Sequence, residues 1–181
     1  MSESVDTKRT EFDRAIERFN RLIQDTSDEL SIILRGHLLL EEKLTAIVTS
    51  AVRNPEYVSK ARLSFLSTLF LARSFVGHFN DSACWDAIEK LNSIRNKFAH
   101  QIEPAGSDEL FAPFFEICER ERRWAYVHTL PRGRTKLIGY IGVVWGTLDA
   151  LLDVVQVCVE HAPSPLTSRS IGQIGTPEHP G

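Results

Sequence analysis

Cysteine is scarce in this chain and methionine scarcer: three cysteines and one methionine in 181 residues. Cys84, Cys118 and Cys158 are odd in number, widely spaced and free of any CxxC pair. That leaves no ground for a disulfide framework or a cysteine zinc site. They read as reduced, mostly buried thiols of a cytoplasmic protein. Also missing are a Walker loop, GxGxxG, HExxH and a nucleophile elbow. None of the six histidines forms a metal-ligand spacing with another His, Cys or acid. No metal and no cofactor is therefore expected. His37 and Glu41, four apart, read as a hydrogen-bonded helical pair.

The N-terminal residues Met1 to Asp6 contain no apolar signal core. The one long apolar run, 137–159, is interrupted by Asp149, Asp153 and Gln156. These fall at i, i+4 and i+7, which draws one polar stripe along a helix. Carboxylates near the centre of a membrane span are costly. The run therefore reads as a long helix buried on most sides, within a bundle or against a partner, and not as a span. Net basic charge is absent too: the chain carries −3, which argues against a general nucleic-acid binder.

What is present is helical periodicity. Phe12, Ala15, Ile16, Phe19, Leu22 and Ile23 draw an apolar stripe over 11–23. Thr26 with Glu29 forms a capping-box pattern, opening a helix that runs to about Arg53, where Asn54-Pro55 stops it. Leu63 to Val76 predicts a shorter helix ending at Gly77. Asp81 or Ser82 caps the next, which carries Trp85, Ile88, Leu91, Arg95 and Phe98. Pro104-Ala105-Gly106 is a break, and Ser107 or Asp108 starts a helix through Phe111, Phe114, Phe115 and Ile117. Pro131-Arg132-Gly133 marks a turn before the last helix, with a short strand-like piece near Trp124–Leu130. No sustained alternation or internal repeat is visible. The expected fold is all-α: one bundle of about five or six helices over residues 8–161. Residues 162–181, rich in Pro, Ser, Thr and Gly, read as a disordered tail.

The most informative stretch is Ile94-Arg95-Asn96-Lys97-Phe98-Ala99-His100-Gln101. At about 100° per residue, Ile88, Leu91, Phe98 and Ala99 all fall within about 60° of Arg95. This predicts an arginine projecting from the packing face, where an unpaired charge is costly. It must find an anion, a carboxylate or a water-filled cleft. His100 can carry a proton near neutral pH, and a fixed cation beside an imidazole suits phosphodiester chemistry. On a regular helix, however, Arg95 and His100 diverge by about 140°. They can serve one target only if the helix loosens at its end or two copies meet. The alternative is structural: Arg95 pairs with Glu41 or Glu42, and His100 caps a helix end.

Arg95 to His100 resembles the R-(polar)-x(3–5)-H signature of the HEPN superfamily, small all-helical domains that include many metal-independent ribonucleases of toxins and defence systems. Segments 34–44 and 63–66 resemble the branch that includes the mannitol operon repressor (MtlR) family. The resemblance extends over roughly residues 25–160, but only the six-residue motif is at all specific. It implies catalytic Arg95 and His100 with Asn96 assisting, Glu41 or Glu42 orienting Arg95, a homodimer sharing one cleft, and RNA as substrate. An antitoxin or a regulatory protein is the further partner it implies. The competing reading is a non-catalytic MtlR-like regulatory or interaction module.

A second feature is local charge. Residues 120–136 hold Arg120, Arg122, Arg123, Arg132, Arg134 and Lys136 against Glu121 alone, a local +5 that leaves −8 for the remainder. Trp124, Tyr126 and His128 are interleaved. Cations with aromatics can grip phosphates and stack unpaired bases. Arg122, Arg123, Trp124, Arg132, Arg134 and Lys136 are thus candidate RNA-binding residues, against the alternative of a solvated helix end with Trp124 packed on the core. Gly139, Gly142 and Gly146 line up on the last helix, where small residues allow close approach of a second copy or of a helix of the same chain.

Overall fold

The computed structural model describes residues 2–24, 28–77, 82–100 and 107–161. These form eight α-helices and one short 3-10 turn, with no strand among them. The helices are α1 (Ser2–Gln24), α2 (Glu29–Ala51), α3 (Glu56–Ala61), α4 (Phe65–Phe75), α5 (Ala83–His100), α6 (Ser107–Glu119), α7 (Ala125–His128) and α8 (Arg134–Glu160). Six of them correspond to the six apolar stripes of the sequence. The two extra ones, α3 and α7, have only six and four residues, too short for a periodicity to declare itself. The strand-like piece expected near Trp124–Leu130 is helical: a 3-10 turn over Arg122–Trp124 runs directly into α7.

Helix starts follow local polar chemistry. Asp28 caps α2, its Oδ1 accepting the Ser31 backbone N–H at 2.9 Å. The cap is thus Asp28; Thr26 lies outside the described residues. Ser64 caps α4 through Ser67 N–H at 3.2 Å, and Ser82 Oγ accepts the Cys84 N–H at 3.3 Å at the head of α5. Asp81, the Pro104-Ala105-Gly106 break and the tail 162–181 also lie outside the described residues. Gly133 at φ +85° makes the turn into α8, a conformation that favours glycine.

Helix α2 is the axis of the bundle. Ile32, Ile33, Leu40, Leu44 and Ile47 are fully buried, each stabilising the fold by about 1.5–3 kcal/mol. Its partners are α8 most extensively, then α4, α5 and α1. Gly36 permits the α2–α8 approach: a Cβ there would meet Ile141 side-chain atoms at 3.0 Å. Lys43 pairs with Asp149 across the same seam. Asp149 therefore belongs to an inter-helix ion pair, while Asp153 and Gln156 are exposed.

Length and composition alone would let α8 cross a membrane. Instead Leu137, Tyr140, Ile141, Val144, Leu148 and Leu151 lie in the core. The expectation of burial on most sides holds along this part of α8. Over its last two turns Val155 alone is buried.

The glycine row divides. A Cβ on Gly139 would meet Val127 and Leu130 side chains at 2.8 Å, one on Gly142 would touch Phe19 at 3.5 Å, and one on Gly146 would meet nothing. The first two serve packing within the chain.

Candidate functional site

Helix α5 positions the Arg95–His100 motif. Cys84, Trp85, Ala87, Ile88, Leu91 and Ile94 anchor it in the core. Burial then fades along the last turn: Phe98 is half-buried, and Asn96, Lys97, Ala99 and His100 are exposed. Phe98 still packs against Phe111 of α6, while the residues around it are solvated. Arg95 consequently lies half-buried at the rim and not mid-core. Water reaches its guanidinium, which removes the need for a buried carboxylate. Its Nη1 donates to Asn96 Oδ1 at 3.2 Å.

The expected carboxylate partners behave differently. Glu42 is taken by Arg18 of α1, both carboxylate oxygens accepting guanidinium N–H groups at 2.8 Å. Each side chain of that pair is about half exposed, and the Arg18 hydrogen bonds hold the Glu42 carboxyl below its usual range. Glu42 does not orient Arg95. Glu41 makes no ion pair with Arg95 among the described residues; its charge acts instead on His37, one turn back on α2.

His37 occupies the position where motif and core meet. It is buried, 7% exposed, and so is Asn92 of α5. His37 Nε2 lies 3.0 Å from Asn92 Oδ1, and Phe65 of α4 stacks on the imidazole at 4.0 Å between ring centroids. Burial lowers the His37 pKa from its ordinary value; the Asn92 hydrogen bond and the Glu41 charge raise it, and the Arg95 charge lowers it further. The helical His37–Glu41 hydrogen bond expected from spacing is replaced by this cross-helix bond to Asn92. Nothing in the sequence marked Asn92, because a buried Asn inside an amphipathic helix has no motif.

Asn92 also lines an open groove of about 440 Å³ whose other walls are Leu66 of α4 and Glu89, Ser93, Asn96, Lys97 and His100 of α5. Asn92, Asn96 and His100 recur at i, i+4 and i+8, one stripe on one helix face. From Glu89 to His100 the groove follows α5 for about 16 Å, passing from an acid end to a basic end. The structure thus brings Asn96, Lys97 and His100 together around one space. Arg95 adjoins it through Asn96 but does not line it. Helix α5 stays helical to His100, so the helical divergence of Arg95 and His100 is not relieved within the described residues.

No residue of the basic segment 120–136 lines this groove, though Arg120 lines a neighbouring pocket with Asp86, Glu89, Lys90 and Ser93 of α5. Arg123 Nη2 donates to Ser82 Oγ at 3.3 Å, which fixes the segment at the N-terminal end of α5. His100 ends the same helix, about 27 Å away along its axis. Several of its cations are already engaged. Arg123 is held by both Glu121 oxygens, at 2.9 and 2.8 Å. Lys136 is 5% exposed, with its Nζ donating to Glu119 at 2.6 Å and lying over the Phe115 and Tyr140 rings. Trp124 is 4% exposed and belongs to the core, while lining, with Arg123 and Tyr126, a pocket of about 550 Å³. Arg122, Arg132 and Arg134 are exposed, and Tyr126, at 69%, is the exposed aromatic of the segment.

Among the described residues no group of three His, Cys, Asp or Glu side chains is placed to hold a metal ion. Cys84 and Cys118 are buried and Cys158 is exposed. No family model, no curated protein and no solved structure matches this chain.

Proposed function

We propose that the chain is a HEPN-like helical protein that cleaves RNA without a metal, at the groove along the second half of α5. The observation that carries this reading is the convergence of Asn96, Lys97 and His100 on one open groove, with Arg95 tied to its edge through Asn96. His100, exposed at the basic end, is the general base toward a ribose 2′-hydroxyl, or the acid toward the leaving 5′-oxygen. Arg95 stabilises charge developing on the phosphoryl oxygens, and Asn96 hydrogen-bonds a phosphate oxygen. The internal nucleophile leaves a 2′,3′-cyclic phosphate. Because Arg95 and His100 diverge on a helix that remains regular, the reading requires a homodimer, with Arg95 of one copy completing the groove of the other.

The test is incubation of the purified protein with single-stranded RNA, with and without EDTA, beside His100→Ala and Arg95→Ala. The expected result is cleavage to cyclic-phosphate ends, resistant to EDTA and abolished by either substitution at unchanged helical content. Cleavage that survives both substitutions, or that EDTA removes, overturns the reading.

A second reading, a non-catalytic MtlR-like interaction module acting through a regulatory protein or an antitoxin, draws on a different observation. Large apolar side chains are exposed on the helices that flank the motif: Leu38 of α2 at 62% and Phe70 of α4 at 51%. Gene neighbourhood separates the two. A sugar-transport operon favours regulation; an adjacent nucleotidyltransferase-like antitoxin or defence genes favour the nuclease.

A further inference from the structure

We infer that His37 is a positioning residue for the groove: its Nε2–H holds Asn92 Oδ1, which turns the Asn92 amide N–H groups toward the groove as donors for an oxygen of a bound phosphodiester strand. The inference rests on the reading of the groove as a nucleic-acid site and adds to it a specific donor, and a residue that sets that donor's direction.

The argument starts from the amide. A side-chain amide has one acceptor end and one donor end, and which end points where is decided by its neighbours. Asn92 is buried at its α5 root yet lines the groove. One end of it faces His37 at 3.0 Å. An imidazole that is buried, stacked on Phe65 and near the Arg95 charge is kept neutral, so only one of its nitrogens carries a proton. With that proton on Nε2, Asn92 Oδ1 is occupied as acceptor and the NH2 is left for the groove. With it on Nδ1 the amide flips and presents its carbonyl oxygen, which repels an anionic strand. The Phe65 stack fixes the plane of the ring, so His37 cannot swing away from Asn92 without losing packing. His37 itself does not line the groove and acts only through Asn92.

The consequence is selectivity by hydrogen-bond polarity. Asn92 stands two turns before His100 on the same stripe. A strand whose reacting phosphate lies at His100 therefore sets a neighbouring phosphate or sugar oxygen near Asn92, about 12 Å away along the helix. A donor there favours backbone oxygens, while the acidic Glu89 end of the groove limits how far an anionic strand extends.

The probe is a short 2′-O-methyl RNA oligonucleotide, which has no free 2′-hydroxyl and cannot be cut by this chemistry. Its binding to the full chain is measured for the wild type, His37→Phe, His37→Gln and Asn92→Leu. Phe keeps a ring against Phe65 and removes the donor; Gln places an amide N–H near the position of Nε2. Binding is expected to weaken about tenfold in His37→Phe and in Asn92→Leu, the size of one hydrogen bond to a charged acceptor, and to be restored in His37→Gln. Nitrogen-15 NMR of the imidazole is expected to show the Nε2–H tautomer, and the Asn92 side-chain N–H signals to move on adding the oligonucleotide.

An Nδ1–H tautomer, equal binding by wild type and His37→Phe, or no binding by the wild type each overturns the inference. Tight binding with the expected variant pattern but no cleavage of ordinary RNA leaves the inference standing and removes the nuclease reading. Cleavage untouched by His37→Phe and Asn92→Leu does the reverse.

Discussion

The two ends of α5 carry similar side chains and treat them in opposite ways. Toward the N-terminal end, two cations of segment 120–136 meet carboxylates of their own chain: Arg123 is held by Glu121, and Lys136 by Glu119, while Arg120, Arg122, Arg132 and Arg134 are exposed. Trp124 belongs to the core. At the C-terminal end, Lys97 and His100 line an open groove and enter no ion pair among the described residues. The N-terminal end holds the higher density of positive charge in sequence but commits part of it to internal pairs; at the C-terminal end Lys97 and His100 face the groove uncommitted to any ion pair among the described residues. A count of basic residues measures supply, whereas binding depends on what remains once internal partners are satisfied. Paired charges consolidate the bundle; unpaired ones over an open space meet ligands.

The largest effect expected from this contrast is on RNA cleavage. His100→Ala is expected to lower the rate by at least about 100-fold, the usual worth of a positioned general acid or base. Arg122→Ala and Arg132→Ala, at exposed residues that do not line the groove, are expected to stay within about threefold. Rates measured on one RNA at one salt concentration decide it. A loss from Arg122→Ala as large as that from His100→Ala would break the contrast and return segment 120–136 to the site.

Stability should show the mirror image. Lys136→Ala removes a buried ammonium from Glu119 and from over the Phe115 and Tyr140 rings, and is expected to cost about 1–3 kcal/mol. Lys97→Ala removes an exposed side chain and is expected to stay within about 0.5 kcal/mol. Urea midpoints of the two variants, compared at equal slope, measure this. Equal losses would mean that Lys97 has an internal role.

Most of the fold was legible because long helices announce themselves through periodicity, and the starts at Ser82 and Gly133 through local chemistry. Legibility failed where the cause was tertiary. The angular argument put Arg95 on the packing face, and it holds for Ile88 and Leu91. At Arg95 it holds only in part: the residue is half-buried at the rim, though Phe98 beyond it still packs on the core, and the rim of a core is not written in a helical angle. Glu42 was as good a partner on paper as Glu41; Arg18, twenty-four residues away on another helix, decides its use. Lys136 reads as an RNA-facing cation from its neighbours in sequence and is buried, its ammonium on Glu119 of α6, while Trp124 takes the core position that was the alternative for it. Asn92 and its bond to His37 had no local signature, since a cross-helix hydrogen bond between residues 55 apart depends on packing alone.

Acidification separates the buried His37 from the paired carboxylates by pH. His37 has its pKa lowered by burial from an ordinary 6.5. The unfolded chain thus takes up a proton before the folded one does. Stability from this group is fully present above pH 6.5 and is lost as pH falls from there toward the folded value. The paired carboxylates Glu119 and Glu121, lowered by their Lys136 and Arg123 hydrogen bonds from an ordinary 4.5, lose theirs only as pH falls below that. Urea midpoints between neutral pH and 5 are therefore expected to decline in the wild type and to flatten in His37→Gln. A decline that survives His37→Gln assigns it to another group.

The smallest effect tests where α8 is closed and where it is open. Gly139 and Gly146 are two turns apart on one helix. At Gly139 a methyl would meet Val127 and Leu130 side chains at 2.8 Å; at Gly146 it would meet nothing. Alanine in a helix interior is favoured over glycine by about 0.5–1 kcal/mol, because the unfolded glycine has more conformations to lose. Gly146→Ala should gain that amount. Gly139→Ala should gain less or lose, because Val127 is β-branched and stiff at χ1. The difference between the two melting temperatures isolates the packing of α7 on α8, the contact that holds segment 120–136 closed. If Gly139→Ala stabilises as much as Gly146→Ala, α7 yields to a methyl group at no cost. The basic segment is then looser than its ion pairs imply, and the contrast between the two ends of α5 narrows.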